Sequence, residues 1–189
     1  MLIPPLLNKE VQQFIRNFEG DVSKLSFAGS PFESISVQAL IQQIESRRRI
    51  EKKLPTWVET SNIIFPPKLN LEQTSSEITA RYKSSLVHGK TIADITGGFG
   101  VDSFFFTEKF ETVHHFEINE DLSKIAQHNF EILGKNNIHC HPKDGLRVVL
   151  NEKYDVIYAD PSRRHDSKGK VFFLNDCEPN IPRNISEIL

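Results

Sequence analysis

The sequence predicts an α/β protein built on a doubly wound parallel sheet, with a small all-helical region in front of it. One observation is the stretch TIADITGGFGVD (residues 91–102), which reads as a buried strand, a glycine-rich turn and the start of a helix. The other is the regular alternation of apolar strands and helices that follows it. Ligands of such sheets bind at the carboxyl ends of the strands.

Composition and charge narrow the class of protein. With 38% hydrophobic and 25% charged residues, the chain has the composition of a globular protein. Its net charge of −2 gives no global signal for nucleic acid, so any contact with a polyanion must come from local patches. The two cysteines suit a reducing compartment, and no apolar run has the length of a signal peptide or a membrane span. We therefore expect a cytoplasmic protein.

The first 70 residues show only helical patterns. Capping residues and apolar spacing predict a helix over 8–18 and a longer one over 36–53. The stretch 54–71 contains three prolines and no clear periodicity, so we interpret it as a linker. The predicted domains are thus a helical domain, 1–70, and a ligand-binding domain, 71–189.

A cluster of cations lies at the end of the longer helix. It contains Arg47, Arg48 and Arg49, followed by two lysines. Cations are favoured at a helix C-terminus by the helix dipole, so a solvated helix end is one interpretation. A patch that contacts phosphates is the other, and the sequence leaves both open.

Helices and strands alternate beyond a helix that Ser75 or Ser76 caps. The predicted strands after the one at 92–94 are 112–116, 137–140 and 154–159, and the predicted helices between them are 101–110, 119–133 and 145–150. Strands that alternate with helices in this way form a parallel sheet.

Acidic residues stand at the carboxyl end of each predicted strand. Asp94 and Glu117 end the first two strands, Asp144 follows the third, and Asp160 ends the fourth. Glu117 follows Asp94 at close to the ~20-residue spacing at which a carboxylate meets a ribose diol. Four acids in register around one glycine turn favour a nucleotide-shaped ligand over four unrelated helix caps.

The turn resembles that of class I S-adenosylmethionine-dependent methyltransferases, in which the first strand and turn read acid-x-G-x-G-x-G. Asp94, Gly98 and Gly100 match this pattern, and Thr96 replaces the first glycine, as it often is replaced in nucleic-acid methyltransferases. The resemblance implies a Rossmann-like sheet and S-adenosylmethionine as the cofactor.

Further roles come from the same resemblance. It implies that Glu117 holds the ribose hydroxyls and that Asp144 holds the adenine amino group. Gln73, ahead of the first strand, would lie near the methionine end of the cofactor. Thr96, Gly98 and Gly100 would form the backbone cradle around it.

Five segments taken together point to a narrower family. QTSSEITARYK, DITGGFGVD, AQHNF, ADPSRR and DCEPN are similar, in order and spacing, to a bacterial family of predicted RNA methyltransferases. In that family a helical segment precedes the methyltransferase domain and a THUMP-like domain follows it. The resemblance covers the chain from about residue 54 onward. It implies RNA as the substrate and a methyltransferase domain over 71–189.

The end of the fourth strand is the predicted reaction centre. Amino-methylating family members read [DNS]-P-P-[FYW] there, where the acid accepts a hydrogen bond from an exocyclic amine and the aromatic ring stacks on the base. Asp160 and Pro161 match, while Ser162 and Arg163 replace the last two residues. An arginine plane stacks on a base or grips a phosphate. We expect Asp160, Pro161 and Arg163 to be catalytic. We expect Arg163 and Arg164 to contact substrate together with Arg47, Arg48 and Arg49. The alternative for Arg163 and Arg164 is a solvated loop.

Two other sets of residues suggest different chemistry. Uracil-C5 methyltransferases pair a D-P-P-R motif with a downstream cysteine nucleophile, but Cys177 follows Asp160 too closely for that arrangement, and we favour a structural role for it. His139 and His141 flank Cys140, yet a strand places only two of these side chains on one face. We predict no metal site.

Alternatives from other classes stay open. A dinucleotide-binding module would need G-x-G-x-x-G, and the third glycine position is Ser103. A non-catalytic ligand-binding protein and a methyltransferase of a small molecule or protein are the others. A class I sheet has seven strands and only four are placed here, so we expect these 189 residues to be the N-terminal part of a longer protein. The fourth strand would then be an open edge unless a dimer or a rearranged tail covers it.

Overall fold

The computed structural model of the protein describes residues 4–162, 164–165, 169–170 and 173–188. Its α-helices are α1 (Lys9–Asn17), α2 (Val22–Ala28), α3 (Val37–Ile50), α4 (Pro55–Glu59), α5 (Lys68–Gln73), α6 (Glu77–Ser85), α7 (Val101–Phe106), α8 (Glu120–Ile132), α9 (Gly145–Val149) and α10 (Ile181–Ile188). Its strands are β1 (Thr91–Asp94), β2 (Thr112–Phe116), β3 (Ile138–His141), β4 (Val156–Tyr158), β5 (Arg164–His165) and β6 (Gly169–Lys170).

The main sheet has four parallel strands in the order β3-β2-β1-β4. The chain adds β2 and β3 on one side of β1 and then returns to place β4 on the other side, so the sheet is doubly wound. The carboxyl ends of all four strands therefore lie along one edge. The predicted α/β fold class is confirmed. The strands β5 and β6 form a separate antiparallel pair.

Side-chain caps explain where the helices begin. Asn8, Ser36, Ser76 and Asn119 each accept a hydrogen bond from a backbone N–H in the first turn of the helix that follows. These bonds satisfy donors that a helix start otherwise leaves unpaired. The sequence left Ser75 and Ser76 as equal candidates for the cap of α6, and the structure selects Ser76.

The stretch 54–71 is not a linker, and that interpretation was wrong. It forms α4 and the start of α5, and Trp57, Ile64 and Phe65 are buried. Asn129 of α8 holds the backbone of Ile64 through two hydrogen bonds, of 2.9 Å to its N–H and 2.8 Å to its C=O. The prolines break the apolar periodicity without removing the segment from the core. The division of the chain at residue 70 stays a prediction.

The hydrophobic core covers both faces of the sheet. Ile92 and Val113 lie on one face and pack with Phe106 from α7. On the other face, Phe116 packs with residues of α9 and of α10. A larger cluster joins helices α1 to α5 to α7 and α8. No helix among the described residues is long and apolar enough to cross a membrane.

Candidate functional site

A cavity of about 1000 Å³ opens at the carboxyl ends of the parallel strands. Its walls come from residues within 70–75, 95–102, 116–122, 143–146, 160–162 and 178–180. Each strand end of the sheet contributes one wall, and two segments outside the sheet complete the enclosure. The site therefore lies where parallel α/β sheets hold their ligands.

The glycine turn is packed too tightly to carry side chains at two positions. A Cβ atom on Gly97 would fall 2.4 Å from Nε2 of His115, and one on Gly100 would fall 2.3 Å from Cζ of Phe130. Gly100 also has a φ of +88°, which side chains rarely adopt. These contacts press the turn against β2 and α8 and fix the cavity wall next to it.

Glu117 joins the end of β2 to the glycine turn. Its Oε2 accepts a hydrogen bond of 2.9 Å from the Gly98 N–H, and its Oε1 accepts one of 2.7 Å from the Asn119 N–H. Burial raises the pKa of Glu117, and these two bonds oppose that rise. A carboxylate has about four acceptor positions, so two remain for hydroxyl groups of a ligand.

Asp94 lies beneath the turn rather than in the cavity wall. Its side chain is buried and accepts hydrogen bonds from the Ser103 hydroxyl, at 2.6 Å, and from the Thr96 N–H, at 3.1 Å. Burial raises its pKa to about 7, although both hydrogen bonds act in the opposite direction. Asp94 is one of the acids predicted around the nucleotide-shaped ligand; its hydrogen bonds favour support of the turn, and a contact from its carboxylate to a cofactor stays a prediction.

Thr96 joins the turn after β1 to the end of β4. Its hydroxyl oxygen accepts a hydrogen bond of 2.7 Å from the backbone N–H of Asp160. A glycine would leave that donor without this partner. Thr96 thus ties the turn after β1 to the residues that follow β4.

Asp144 and Gln73 both line the cavity. Asp144 caps α9 through the Leu146 N–H and forms an ion pair with Arg147, so its predicted adenine contact would be an additional bond. Gln73, the last residue of α5, donates a hydrogen bond of 3.2 Å to the Ser162 hydroxyl. This bond links the segment before the sheet to the predicted reaction centre.

Lys83 is a residue of the site that the sequence did not reveal. It extends from α6, and its Nζ donates to the carboxylates of Asp160, at 2.8 Å, and Asp102, at 3.2 Å. The hydroxyls of Tyr158, at 2.7 Å, and Ser75, at 3.0 Å, complete its surroundings. Its only sequence signal was its place at the end of the segment QTSSEITARYK, since its carboxylate partners are distant along the chain.

The predicted reaction centre is described in part. Asp160, Pro161 and Ser162 line the cavity, and the Asp160 side chain is 58% exposed. Arg163 lies outside the described residues. For Arg164 only the backbone is described, as part of β5. The substrate contacts of these two arginines stay predictions.

Arg47 and Arg48 have partners within the helical region. Arg47 donates to the Val58 carbonyl at 3.0 Å, and Arg48 donates to the Gly20 carbonyl at 3.1 Å. Burial, reinforced by the charge of Arg16, lowers the pKa of Arg47. Neither side chain lines the cavity. These contacts favour a structural role for both, and a phosphate contact from either stays a prediction.

Arg49 is placed differently. Its guanidinium lies 3.8 Å from the carboxylate of Glu72 on α5, and its side chain is 41% exposed. Lys68 reaches the same carboxylate. The neighbours of Glu72 on that helix, Asn70 and Gln73, line the cavity. Arg49 is therefore the arginine of the cluster that lies beside a wall of the site.

Cys177 lies where a structural role expected from the sequence would place it. Cys177 is buried, its thiol donates to the Phe173 carbonyl, and it does not line the cavity, which agrees with a structural role. His114 and His141 lie 3.1 Å apart on neighbouring strands. In the part of the chain that the structure describes, no group of three or more His, Cys, Asp or Glu residues is arranged to hold a metal ion.

Solved structures similar to this one include methyltransferases. A protein from Porphyromonas gingivalis W83, provisionally named a methyltransferase, is 29% identical with a TM-score of 0.73; the match covers 96% of this chain and 46% of that protein. The chain thus spans less than half of that protein's length. The tRNA m1G37 methyltransferase of M. jannaschii is 17% identical with a TM-score of 0.40, and the match covers 47% of this chain and 29% of that one.

A third likeness is to SMU.1697c of Streptococcus mutans, a methyltransferase by provisional name, solved in complex with SAH. It is 15% identical with a TM-score of 0.44, and the match covers 59% of this chain and 62% of that one. With TM-scores below 0.5, this likeness and the M. jannaschii one give no information about chemistry here. No family model and no curated protein matches the chain. The Rossmann-like α/β fold is that of the P. gingivalis methyltransferase neighbour.

Proposed function

We propose that this chain is the cofactor-binding part of an S-adenosylmethionine-dependent methyltransferase that acts on RNA. The observation that carries the proposal is the cavity at the strand ends, where Glu117 holds the glycine turn at Gly98. The sequence resemblance supports a bacterial RNA methyltransferase with a helical region at 1–70, a methyltransferase domain from residue 71 and a THUMP-like domain after it. The proposed location is the cytoplasm.

The cavity residues fit S-adenosylmethionine in size and in chemistry. A volume of about 1000 Å³ lies at the upper end of the roughly 300–1000 Å³ of small-ligand sites, which leaves room for a second group. Glu117 has acceptor positions for ribose hydroxyls, and Asp144 offers a carboxylate for an amino group. When bound, the cofactor supplies an electrophilic methyl group.

An exocyclic amine fits the reaction end better than a ring carbon. Asp160 presents an exposed carboxylate at the cavity wall, and a carboxylate accepts hydrogen bonds from an amine. Methylation at a pyrimidine carbon requires a nucleophile such as a thiol, and the Cys177 thiol is buried outside the cavity. We therefore propose a base amine as the methyl acceptor.

Charges near the cavity support an RNA substrate. Arg49 and Lys68 both reach Glu72 on α5, the helix that also forms part of the cavity wall. A phosphate backbone that leaves the cavity across this helix would meet these two cations. Arg163 and Arg164, close in sequence to Asp160, would add charge at the reaction end.

The cofactor test is isothermal titration of wild type, Glu117→Ala and Glu117→Gln with S-adenosylmethionine and with NAD. Loss of the carboxylate should weaken binding of S-adenosylmethionine by about 1.5–3 kcal/mol, which is tenfold or more. Circular dichroism checks that the variants fold. Binding of NAD in preference to S-adenosylmethionine would contradict the proposal and support a dinucleotide-binding module.

The substrate test is methyl transfer to total RNA by the full-length protein, with filter binding over a salt series. Phosphate contacts in single strands give a slope of about −0.7 per phosphate neutralised. Arg49→Ala should flatten that slope, whereas Arg48→Ala serves as the matched control because its guanidinium is already bonded to backbone carbonyls. An identical slope in wild type and Arg49→Ala, with no methyl transfer to RNA, would favour a small-molecule or protein substrate.

A further inference from the structure

The strongest unexplained feature of the site is the ammonium of Lys83, which is surrounded by groups from three separate segments. Ser75 precedes α6, Asp102 belongs to α7, and Tyr158 and Asp160 come from the end of β4. A lysine that serves only solubility would extend into water instead of converging on these groups.

Lys83 and Asp102 are more buried than Asp160, and Asp102 has further hydrogen-bond partners that hold it in place. The carboxylate of Asp102 accepts hydrogen bonds from the Ser75 hydroxyl, at 3.0 Å, and the Tyr158 hydroxyl, at 3.2 Å, in addition to Lys83. Burial and neighbouring carboxylates raise the pKa of Tyr158, so it remains a phenol that can donate this bond. Asp102 has a side-chain exposure of 14% and Lys83 one of 24%, whereas Asp160 is more than half exposed.

The charge balance of the group matters for the proposed chemistry. Burial by itself would lower the pKa of Lys83, but hydrogen bonds and charges of Asp160 and Asp102 outweigh it and raise that pKa. Lys83 is thus a cation between two carboxylates, and the three side chains together carry one negative charge. A site with this net charge favours positive charge that develops on an attacking amine.

Asp160 is held at two points. Its backbone N–H donates to the Thr96 hydroxyl, and its Oδ2 accepts from Lys83. Without the second bond, an exposed carboxylate would sample several rotamers. We propose that Lys83 is a positioning residue that holds the Asp160 carboxylate toward the acceptor amine, with Asp102 as the buried counter-charge that keeps Lys83 in place.

This inference rests on the proposed methyltransferase function, and its test separates the two. Methyl transfer to RNA and S-adenosylmethionine affinity are measured for wild type, Lys83→Met, Lys83→Arg and Asp160→Asn. Lys83→Met should lower kcat by roughly 10–100-fold, as expected for displaced supporting groups, and leave cofactor affinity within twofold. Lys83→Arg should restore part of kcat, because it retains the charge. The double variant Lys83→Met with Asp160→Asn should have the same kcat as Asp160→Asn alone, because Lys83 acts through Asp160.

Lys124→Met is the matched control, since that lysine is exposed and pairs with Glu120 on its own helix. It should change neither quantity. If Lys83→Met turns over normally, or loses turnover and cofactor affinity by the same factor together with a lower Tm, Lys83 only joins α6 to the sheet and the inference is wrong. A wild type that does not bind S-adenosylmethionine contradicts the proposed function instead.

If the wild type transfers no methyl group to any RNA, a crystal structure of Lys83→Met decides the positioning claim. Displacement of the Asp160 carboxylate from the cavity wall supports it. An unmoved Asp160 carboxylate overturns it.

Discussion

The buried carboxyl of Asp94 should make the stability of this protein depend on pH, and the isosteric substitution Asp94→Asn should remove that dependence. Its pKa is about 7 in the folded protein, against an ordinary value of 3.8 for an aspartate. A group whose pKa is raised by folding stabilises most fully below its unfolded pKa, and this contribution is lost as pH rises through the folded pKa. The sensitive window is therefore about pH 4 to 7.

The magnitude follows from the same two values. Between pH 5 and pH 7 the carboxyl is ionised in the unfolded chain and largely protonated in the folded one. The contribution of Asp94 to the free energy of unfolding then falls by about 1.4 kcal/mol per pH unit, or about 2–3 kcal/mol from pH 5 to pH 7. Asp94→Asn keeps the shape, the acceptor for the Thr96 N–H and a partner for Ser103, but it does not titrate.

The assay is urea denaturation of wild type and Asp94→Asn at several pH values, without cofactor. The variant should gain stability relative to wild type as pH rises from 5 to 7. The difference between the two proteins isolates Asp94 from histidines that titrate in the same range. Asp155→Asn is the control, because backbone hydrogen bonds lower the pKa of Asp155, so its contribution to stability is constant from pH 5 to 7 and the variant should keep the wild-type pH slope there. Equal pH slopes for wild type and Asp94→Asn would refute the reasoning.

Three further outcomes are expected. Gly100→Ala should destabilise the protein by about 1–3 kcal/mol, because the added Cβ would collide with Phe130. Gly29→Ala is the control, since Gly29 has a similar φ but open space around it, and it should cost less. Equal losses of stability in thermal denaturation would contradict the packing argument. Asn129→Ala should lower the free energy of unfolding by about 2–4 kcal/mol, because the backbone N–H and C=O of Ile64 would lose their hydrogen bonds to the Asn129 side chain. A loss below about 1 kcal/mol in urea denaturation would contradict this role of Asn129. Burial and the charge of its histidine neighbours lower the pKa of His141, so the contribution of His141 to stability should be lost as pH drops below about 6.5, and the stability of His141→Gln relative to wild type should rise in that direction in the same titration.

The sheet and its ligand edge were predictable because they depend on local patterns. The strands are short, α8 and α9 begin at side-chain caps, and strands that alternate with helices pair in parallel. The placement of Glu117 and Asp160 at the cavity followed from that topology alone. The sequence also contains the caps Asn8 and Asn119 at the positions where the helices begin.

The remaining features depend on contacts between residues that are far apart in sequence. Asp94 is at the predicted strand end, but the Ser103 hydroxyl on the next helix draws its carboxylate beneath the turn. Lys83 finds its partner Asp160 only once α6 packs beside the sheet. The stretch around Ile64 was misread because prolines hide a short apolar run that Asn129 then binds.

The shared cluster of helices α1 to α5 with α7 and α8 limits how this chain can be cut. Trp57 packs edge-on against Phe104, with ring centroids 4.7 Å apart, across the proposed boundary at residue 70. A shortened chain that begins after that boundary would expose Phe104 and the Ile64-binding face of Asn129 to water. Such a fragment should aggregate on expression, and the helical segment acts as a built-in folding partner of the sheet rather than as an exchangeable module.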